Sequence, residues 1–230
     1  MTMKQQYPVW ERQWVYRLLM LVAGFYGGYA MLVRGGAFSN AQTGNIVLLA
    51  IALGSGNIWK ALYYVIPFAA YLLGTVISEL LLNRDRRLGK MRWGTSLILI
   101  QLLMVALMGF IPAAAPHQIC QIIINVICAM QFNTFRQAEG IPITTTFCTN
   151  NVRLLGVYLV NLFEGGKDKQ DARAKAMFYA VMVLFFALGA AVAAVACRFF
   201  GTYAIWLLLI PLSVLFVSFL HADLKDEISV

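Results

Sequence analysis

Six apolar runs, about 14–33, 61–82, 94–111, 117–135, 176–197 and 203–220, dominate the chain, each about 18 residues or longer. A helix needs about 20 predominantly apolar residues to cross a hydrocarbon core of about 30 Å. Runs of this length constrain the fold more than any other feature, because no water-soluble core could absorb all of them. Composition agrees: 61% of the 230 residues are hydrophobic and 12% are charged, against roughly 45–50% and 25% in soluble domains. The predicted fold is therefore all-α, a polytopic transmembrane helical bundle forming one integral membrane domain over residues 1–230 in the lipid bilayer. The tails before Trp14 and after Leu220 are too short to bury cores of their own. No cleavable signal peptide is expected, since no small-residue cleavage site follows the first run. Trp10, Trp14, Trp59, Tyr63, Tyr64, Trp93 and Tyr203 fall near run ends, as an aromatic belt does. Pro112 and Pro116 mark a tight turn between the third and fourth runs.

Two apolar segments are shorter, about 43–54 and 149–163. A helix of about 12 residues covers roughly 18 Å, little more than half the core. Such half-helices, re-entrant segments or broken helices survive only where protein or a wet cavity satisfies their loose backbone.

The net charge of +8 is distributed informatively. With six spans and the N-terminus inside, Lys4, Arg12, Arg17, Arg84, Arg86, Arg87, Lys90, Arg92, Lys167, Lys169, Arg173, Lys175 and Lys225 face inward. Only Arg34, Lys60 and Arg198 then face outward. Eight spans would put the 84–92 cluster outside, against the preference for basic cytoplasmic loops. The expected topology is six long spans plus two short non-spanning elements, with both termini cytoplasmic. Basic residues placed between apolar runs serve topology, so no nucleic-acid partner is expected.

The short segments resemble each other. Thr43, Asn45, Leu48 and Leu49 in AQTGNIVLLAI align with Thr149, Asn151, Leu154 and Leu155 in FCTNNVRLLGV, 106 residues on. Gly94-Thr95 aligns with Gly201-Thr202 at 107, and Ala30-Met31 with Ala129-Met130 at 99, which gives the second half a longer connection before its short element. Each half, about 14–112 and 115–222, reads as span, short element, span, span. Three crossings is odd, so the halves form two inverted repeats, with their broken elements opposed near the midplane.

Gly35-Gly36-Ala37-Phe38-Ser39-Asn40-Ala41-Gln42-Thr43-Gly44-Asn45 resembles the signature of the YoaK-like family, bacterial multi-span inner-membrane proteins of unknown function. Gly27-Gly28-Tyr29, Met130-Gln131-Phe132-Asn133 and the run Thr144 to Thr149 fit the same pattern, and the resemblance extends from about Trp14 to Leu220. It implies a multi-pass protein of the bacterial inner (cell) membrane and supplies no reaction or substrate. One departure stands out. Similar proteins read Thr-Gly-Asn followed by Leu-Arg at the second motif, whereas this chain has Thr149-Asn150-Asn151-Val152-Arg153. If that Gly provides positive φ or close approach, Asn is the next most tolerant residue.

Thr43, Gly44 and Asn45 open the first short helix, and Thr149, Asn150 and Asn151 the second. Thr at an N-cap beside free N–H groups favours an anion, so these residues are candidate solute ligands; equally, they could merely satisfy a broken backbone. Arg34 is a candidate gate or anion attractor, or a side chain snorkelling to the interface. Arg153, about one turn inside the second short element, is a candidate ligand. Glu79 is either a proton-coupling carboxylate or half of a helix-end ion pair with Arg84 and Arg86. Gln101, Asn125, Gln131 and Asn161 suit interhelical hydrogen bonds. His117 and His221 are isolated, Cys120, Cys128, Cys148 and Cys197 form no C-x-x-C pair, and no phosphate-binding loop appears. No metal, cofactor or enzymatic activity is expected. The expected function is a membrane transporter or channel for a small polar or anionic solute. A non-transporting partner or scaffold is the alternative, and a homo-oligomer is compatible with either.

Overall fold

A computed structural model describes residues 7–36, 38, 40–82, 91–163 and 169–228, with side chains to residue 225. Arg84, Arg86, Arg87, Lys90, Lys167, Lys4, Ala37 and Ser39 lie outside the described residues.

After a 3-10 turn at Val9–Glu11 come α1 (Gln13–Val33), α2 (Gln42–Gly54), α3 (Ile58–Leu82), α4 (Trp93–Met108) and α5 (His117–Thr134). A two-stranded hairpin, β1 (Gln137–Ala138) and β2 (Ile141–Pro142), leads to α6 (Thr149–Phe163) and α7 (Lys169–Phe200). A 3-10 stretch, Gly201–Leu208, passes into α8 (Leu209–Ile228). Helices thus form where the eight apolar segments lie, and both short segments are short helices, of 13 and 15 residues. Among the described residues, three stretches are long and apolar enough to cross a membrane: Gln13–Val33, Ile58–Leu82 and the 57 residues Lys169–Lys225. The last contains α7 and α8 and is broken at Gly201, whose φ of +54° is a conformation that side-chain-bearing residues avoid. At 16 residues, α4 is shorter than its predicted run of 94–111, because the chain leaves the helix at Gly109 before Pro112.

The hairpin was not foreseen. It occupies the longer connection that the repeat spacing required, turning at Glu139 (φ +49°) and Gly140 (φ +78°). The Glu139 carboxylate accepts from Gln13 Nε2 at 2.8 Å, and its N–H donates to the Glu11 carbonyl at 2.8 Å, so the hairpin is pinned to the start of α1.

Helix α1 is central, with Val15, Leu19, Met20, Val22, Ala23, Tyr26, Tyr29 and Ala30 fully enclosed. It packs along α7; α3 packs along α5, α2 against α3, α6 against α7, and α4 against α8. Glycines allow the closest approaches. A Cβ on Gly24 would collide with the Phe186 carbonyl, one on Gly189 with the Leu21 carbonyl, and one on Gly74 with the backbone of Val126. Outward faces are apolar: Leu72, Leu73 and Val76 on α3, Leu184 and Val195 on α7, and Ile210 and Val217 on α8 are exposed. A large apolar periphery around a core that holds buried Gln and Asn is the arrangement lipid permits and water does not.

Candidate functional site

Each short helix begins with a loop braced by its own asparagine. Asn45 accepts the Phe38 N–H at 3.2 Å and returns Nδ2 to the Phe38 carbonyl at 2.7 Å. Asn151 accepts the Thr144 N–H at 3.3 Å and returns Nδ2 to the Thr144 carbonyl at 2.8 Å. Both asparagines are fully buried, and both braces span seven residues. Phe38 and Thr144 are separated by 106 residues, as are Asn45 and Asn151. A side-chain amide offers an N–H donor group and a carbonyl acceptor in a fixed plane, so it can replace the lost backbone pairing of a chain entering a helix.

Capping by threonine, expected from the sequence, is corrected. Helix α2 starts at Gln42 with Ala41 at the N-cap and no side-chain cap bond. Thr43 and Thr149 lie inside their helices and are exposed. Gly44 has a spatial role: its φ is not positive, but a Cβ there would sit 2.6 Å from the Phe38 ring. This explains the departure at the second motif. The residue at the Phe38 position in the second half is Thr144, which puts no ring over the helix start. Asn150 is therefore accommodated, and its Oδ1 accepts from Arg153 Nη2 at 3.0 Å. An asymmetry follows. Gly44→Asn should destabilise the protein by about 1–3 kcal/mol through overpacking, whereas Asn150→Gly should change stability by less than about 1 kcal/mol. Chemical unfolding in mixed micelles measures both; equal costs would refute the steric explanation.

Beyond the braces, polar side chains gather on α5. Gln42 Nε2 donates to Asn125 Oδ1 at 2.6 Å, and Asn45 Nδ2 reaches Gln42 Oε1 at 3.0 Å. Gln121 Nε2 donates to the Arg34 carbonyl at 2.7 Å and to the Tyr63 hydroxyl at 2.6 Å. Further along, Gln131 Nε2 donates to the carbonyls of Leu19 (3.3 Å) and Thr145 (3.4 Å). The approaches to α2 and α6 thus hang on one helix at Asn125 and Gln131, about 9 Å apart by helical rise. Gln121 Oε1, Gln131 Oε1 and Thr145 Oγ1 are buried without a hydrogen-bond partner among the described residues, whereas Thr146 lies within reach of the Tyr71 hydroxyl. Unpaired buried polar atoms are costly and call for an unseen partner.

The other candidates lie elsewhere. Arg34 does not snorkel. It is fully buried, donating Nε to the Tyr29 hydroxyl (3.0 Å), Nη1 to the Pro112 carbonyl (3.2 Å) and Nη2 to the Ile111 carbonyl (2.8 Å). Glu79 is in an ion pair, with Arg136 at 2.9 Å, and also accepts from Asn133 at 2.8 Å. The expected partners Arg84 and Arg86 lie outside the described residues. Arg153 is exposed on α6 rather than buried inside it. Thr43, Asn45, Thr149 and Asn151 share no direct side-chain hydrogen bonds, and none lines the cavity at the arginine-bearing end of the bundle. No metal-binding cluster occurs among the described residues. Sequence reasoning missed Gln42, Thr145 and Thr146 as polar contributors, although all stand inside the motifs that carried the resemblance. That cavity had no sequence signal, because its walls come from separate stretches of chain.

An apolar-faced helical bundle with buried amide clusters is an integral membrane protein. Residues 15–218 match the family described as "Protein of unknown function (DUF1275)", and the chain belongs to it. It is 23% identical over 211 residues to the UPF0700 transmembrane protein YoaK of Bacillus subtilis (strain 168), covering 90% of this chain and 92% of that one. No solved structure matches.

Proposed function

We propose that this protein is a transporter or channel for a small polar or anionic solute in the bacterial inner membrane. In this reading it has six spans, cytoplasmic termini and two inverted halves. The observation that carries it is the matched pair of asparagine-braced helix starts, both tied to α5, with unpartnered polar atoms beside them. A repeat is supported by the packing, and three crossings per half would make it inverted. Exchanging α1 with α5, α2 with α6, α3 with α7 and α4 with α8 turns the α1–α7 contact into α5–α3, and α2–α3 into α6–α7. Broken helices opposed at a repeat interface are the setting in which transporters hold solutes. Thr43, Gly44, Asn45, Thr149, Asn150, Asn151 and Arg153 belong to the two helix starts, with Arg34 and Glu79 as the flanking charged positions. The solute contacts themselves would be Gln131 and Thr145.

A panel of small anions and polar metabolites, tested for thermal stabilisation of the purified protein in detergent, examines this. A specific solute at 100 times its Kd should stabilise the fold by about 2.7 kcal/mol. Gln131→Leu and Thr145→Val should abolish that gain while leaving the unliganded protein folded. Stabilisation by no compound, or stabilisation untouched by both substitutions, would remove the reading. The competing reading is a non-transporting membrane partner or scaffold. Stable co-purification of one membrane protein, with no solute bound, would establish it.

A further inference from the structure

A cavity of about 640 Å³ lies where the Val9–Glu11 turn, the start of α4, the end of α5 and α8 meet. Its volume is in the range that holds small organic ligands, roughly 300–1,000 Å³. The sequence analysis placed no site here. Trp10, Trp93, Phe135 and Phe219 contribute apolar wall, and Arg92 and Arg136 contribute cationic wall.

Both arginines are held in place from behind. The Arg92 guanidinium sits 4.2 Å from the Trp10 ring centroid, with Nε 3.6 Å from Asp223. Asp223 is committed to α4, accepting the Arg92 N–H at 3.0 Å and the Thr95 hydroxyl at 2.6 Å. Arg136 is fixed by Glu79 at 2.9 Å and by its Nε to the Asn133 carbonyl at 2.6 Å, while its Nη1 donates to no described residue. Neither Asp223 nor Glu79 lines the cavity; Glu11 is the acidic residue that does. The side chains of Arg92 and Arg136 are still 37% and 59% exposed. Two guanidinium groups with preset orientation, facing a chamber walled by aromatics, match an anion joined to an apolar body. Planar, forked donors suit phosphate and carboxylate, and orienting them in advance removes part of the ordering cost of binding. We infer that this cavity binds an amphiphilic phosphate or carboxylate, its anionic head on Arg136 and Arg92 and its apolar body on the Trp10 and Trp93 side. The inference does not depend on the solute site at α2 and α6.

The test uses the full chain in detergent and follows tryptophan fluorescence, since Trp10 and Trp93 report directly. The probes are phenyl phosphate, dihexanoyl phosphatidate, inorganic phosphate and uncharged dihexanoylglycerol. At least one of the first two should bind saturably and ten or more times more tightly than inorganic phosphate or dihexanoylglycerol. Preference for the phosphatidate places the natural ligand among membrane lipids; preference for phenyl phosphate places it among soluble anions. Arg136→Gln should weaken the preferred probe at least tenfold, and Asn45→Ala should not. Gln137→Lys, on the exposed lining, should tighten it severalfold, which keeps the test decisive if Arg136→Gln fails to fold. No saturable binding, equal binding of inorganic phosphate, or an affinity indifferent to both Arg136→Gln and Gln137→Lys would overturn the inference.

Discussion

Gly189→Leu should leave little folded protein. Helices α1 and α7 form the most extensive helix pair, and they touch at backbone level. Gly189 faces the Leu21 carbonyl, and Gly24 faces the Phe186 carbonyl from the other side. A side chain at Gly189 meets a carbonyl of a buried helix, not the tip of a flexible side chain, so relief requires moving α1 or α7 as a whole. Overpacking in a well-packed interior costs about 1–3 kcal/mol and occasionally more. With the fixed backbone on both sides of this seam, about 3 kcal/mol or more is expected, a large share of typical stability. Gly156→Leu on α6 is the control, since nothing lies within 4 Å of a Cβ there. Size-exclusion profiles of the two variants should separate sharply: aggregate or no yield for Gly189→Leu, and a wild-type peak for Gly156→Leu. Similar profiles would mean that the α1–α7 seam is looser than described.

Arg34→Met should cost nearly as much. Arg34 is enclosed, and no carboxylate forms an ion pair with it among the described residues. Its charge is satisfied by the Ile111 and Pro112 carbonyls and the Tyr29 hydroxyl, with the Tyr29 ring centroid 5.7 Å away. Tyr29 in turn donates to the Thr202 carbonyl at 3.0 Å. One guanidinium thus ties the end of α1 to the α4–α5 turn and, through Tyr29, to the stretch after α7. Hydrogen bonds to charged groups contribute about 1.5–3 kcal/mol each, and each buried acceptor left unsatisfied costs about 1–3 kcal/mol. Arg34→Lys should recover less than half, because an ammonium cannot span three acceptors set around a planar fork. Unfolding midpoints in mixed micelles measure both. A change below about 0.5 kcal/mol for Arg34→Met would return this residue to the snorkelling role that its place at a span end suggested.

That reversal marks where sequence reading ends. The helices were legible because lipid imposes a length and polarity rule on each apolar run, and the short elements because they fall below that length. The likeness of the two short elements was legible because Thr43, Asn45, Thr149 and Asn151 are poor bilayer filler and recur together. Side-chain direction was not legible. The backbone turn after α1, through Gly35 (φ +81°) and Gly36 (φ +71°), decides that Arg34 folds inward. Asn45, and not Thr43, became the brace because the contact it serves lies seven residues back, at Phe38, outside any local capping rule. The pairing of Arg136 with Glu79 depends on the α3–α5 packing, which no local pattern records. The cavity at the arginine-bearing end was invisible for the same reason.

Single cysteines at Ser55, Arg87 and Ala114, in a background lacking Cys120, Cys128, Cys148 and Cys197, decide between opposed half-helices and full crossings. With α2 and α6 as half-helices, a membrane-impermeant maleimide should label Ser55→Cys and Ala114→Cys in cells whose inner membrane is intact. Arg87→Cys should label only after that membrane is opened. Labelling of Arg87→Cys in intact cells, with Ser55→Cys and Ala114→Cys protected, would mean that α2 crosses the bilayer or that the chain is oriented the other way, and either contradicts this topology.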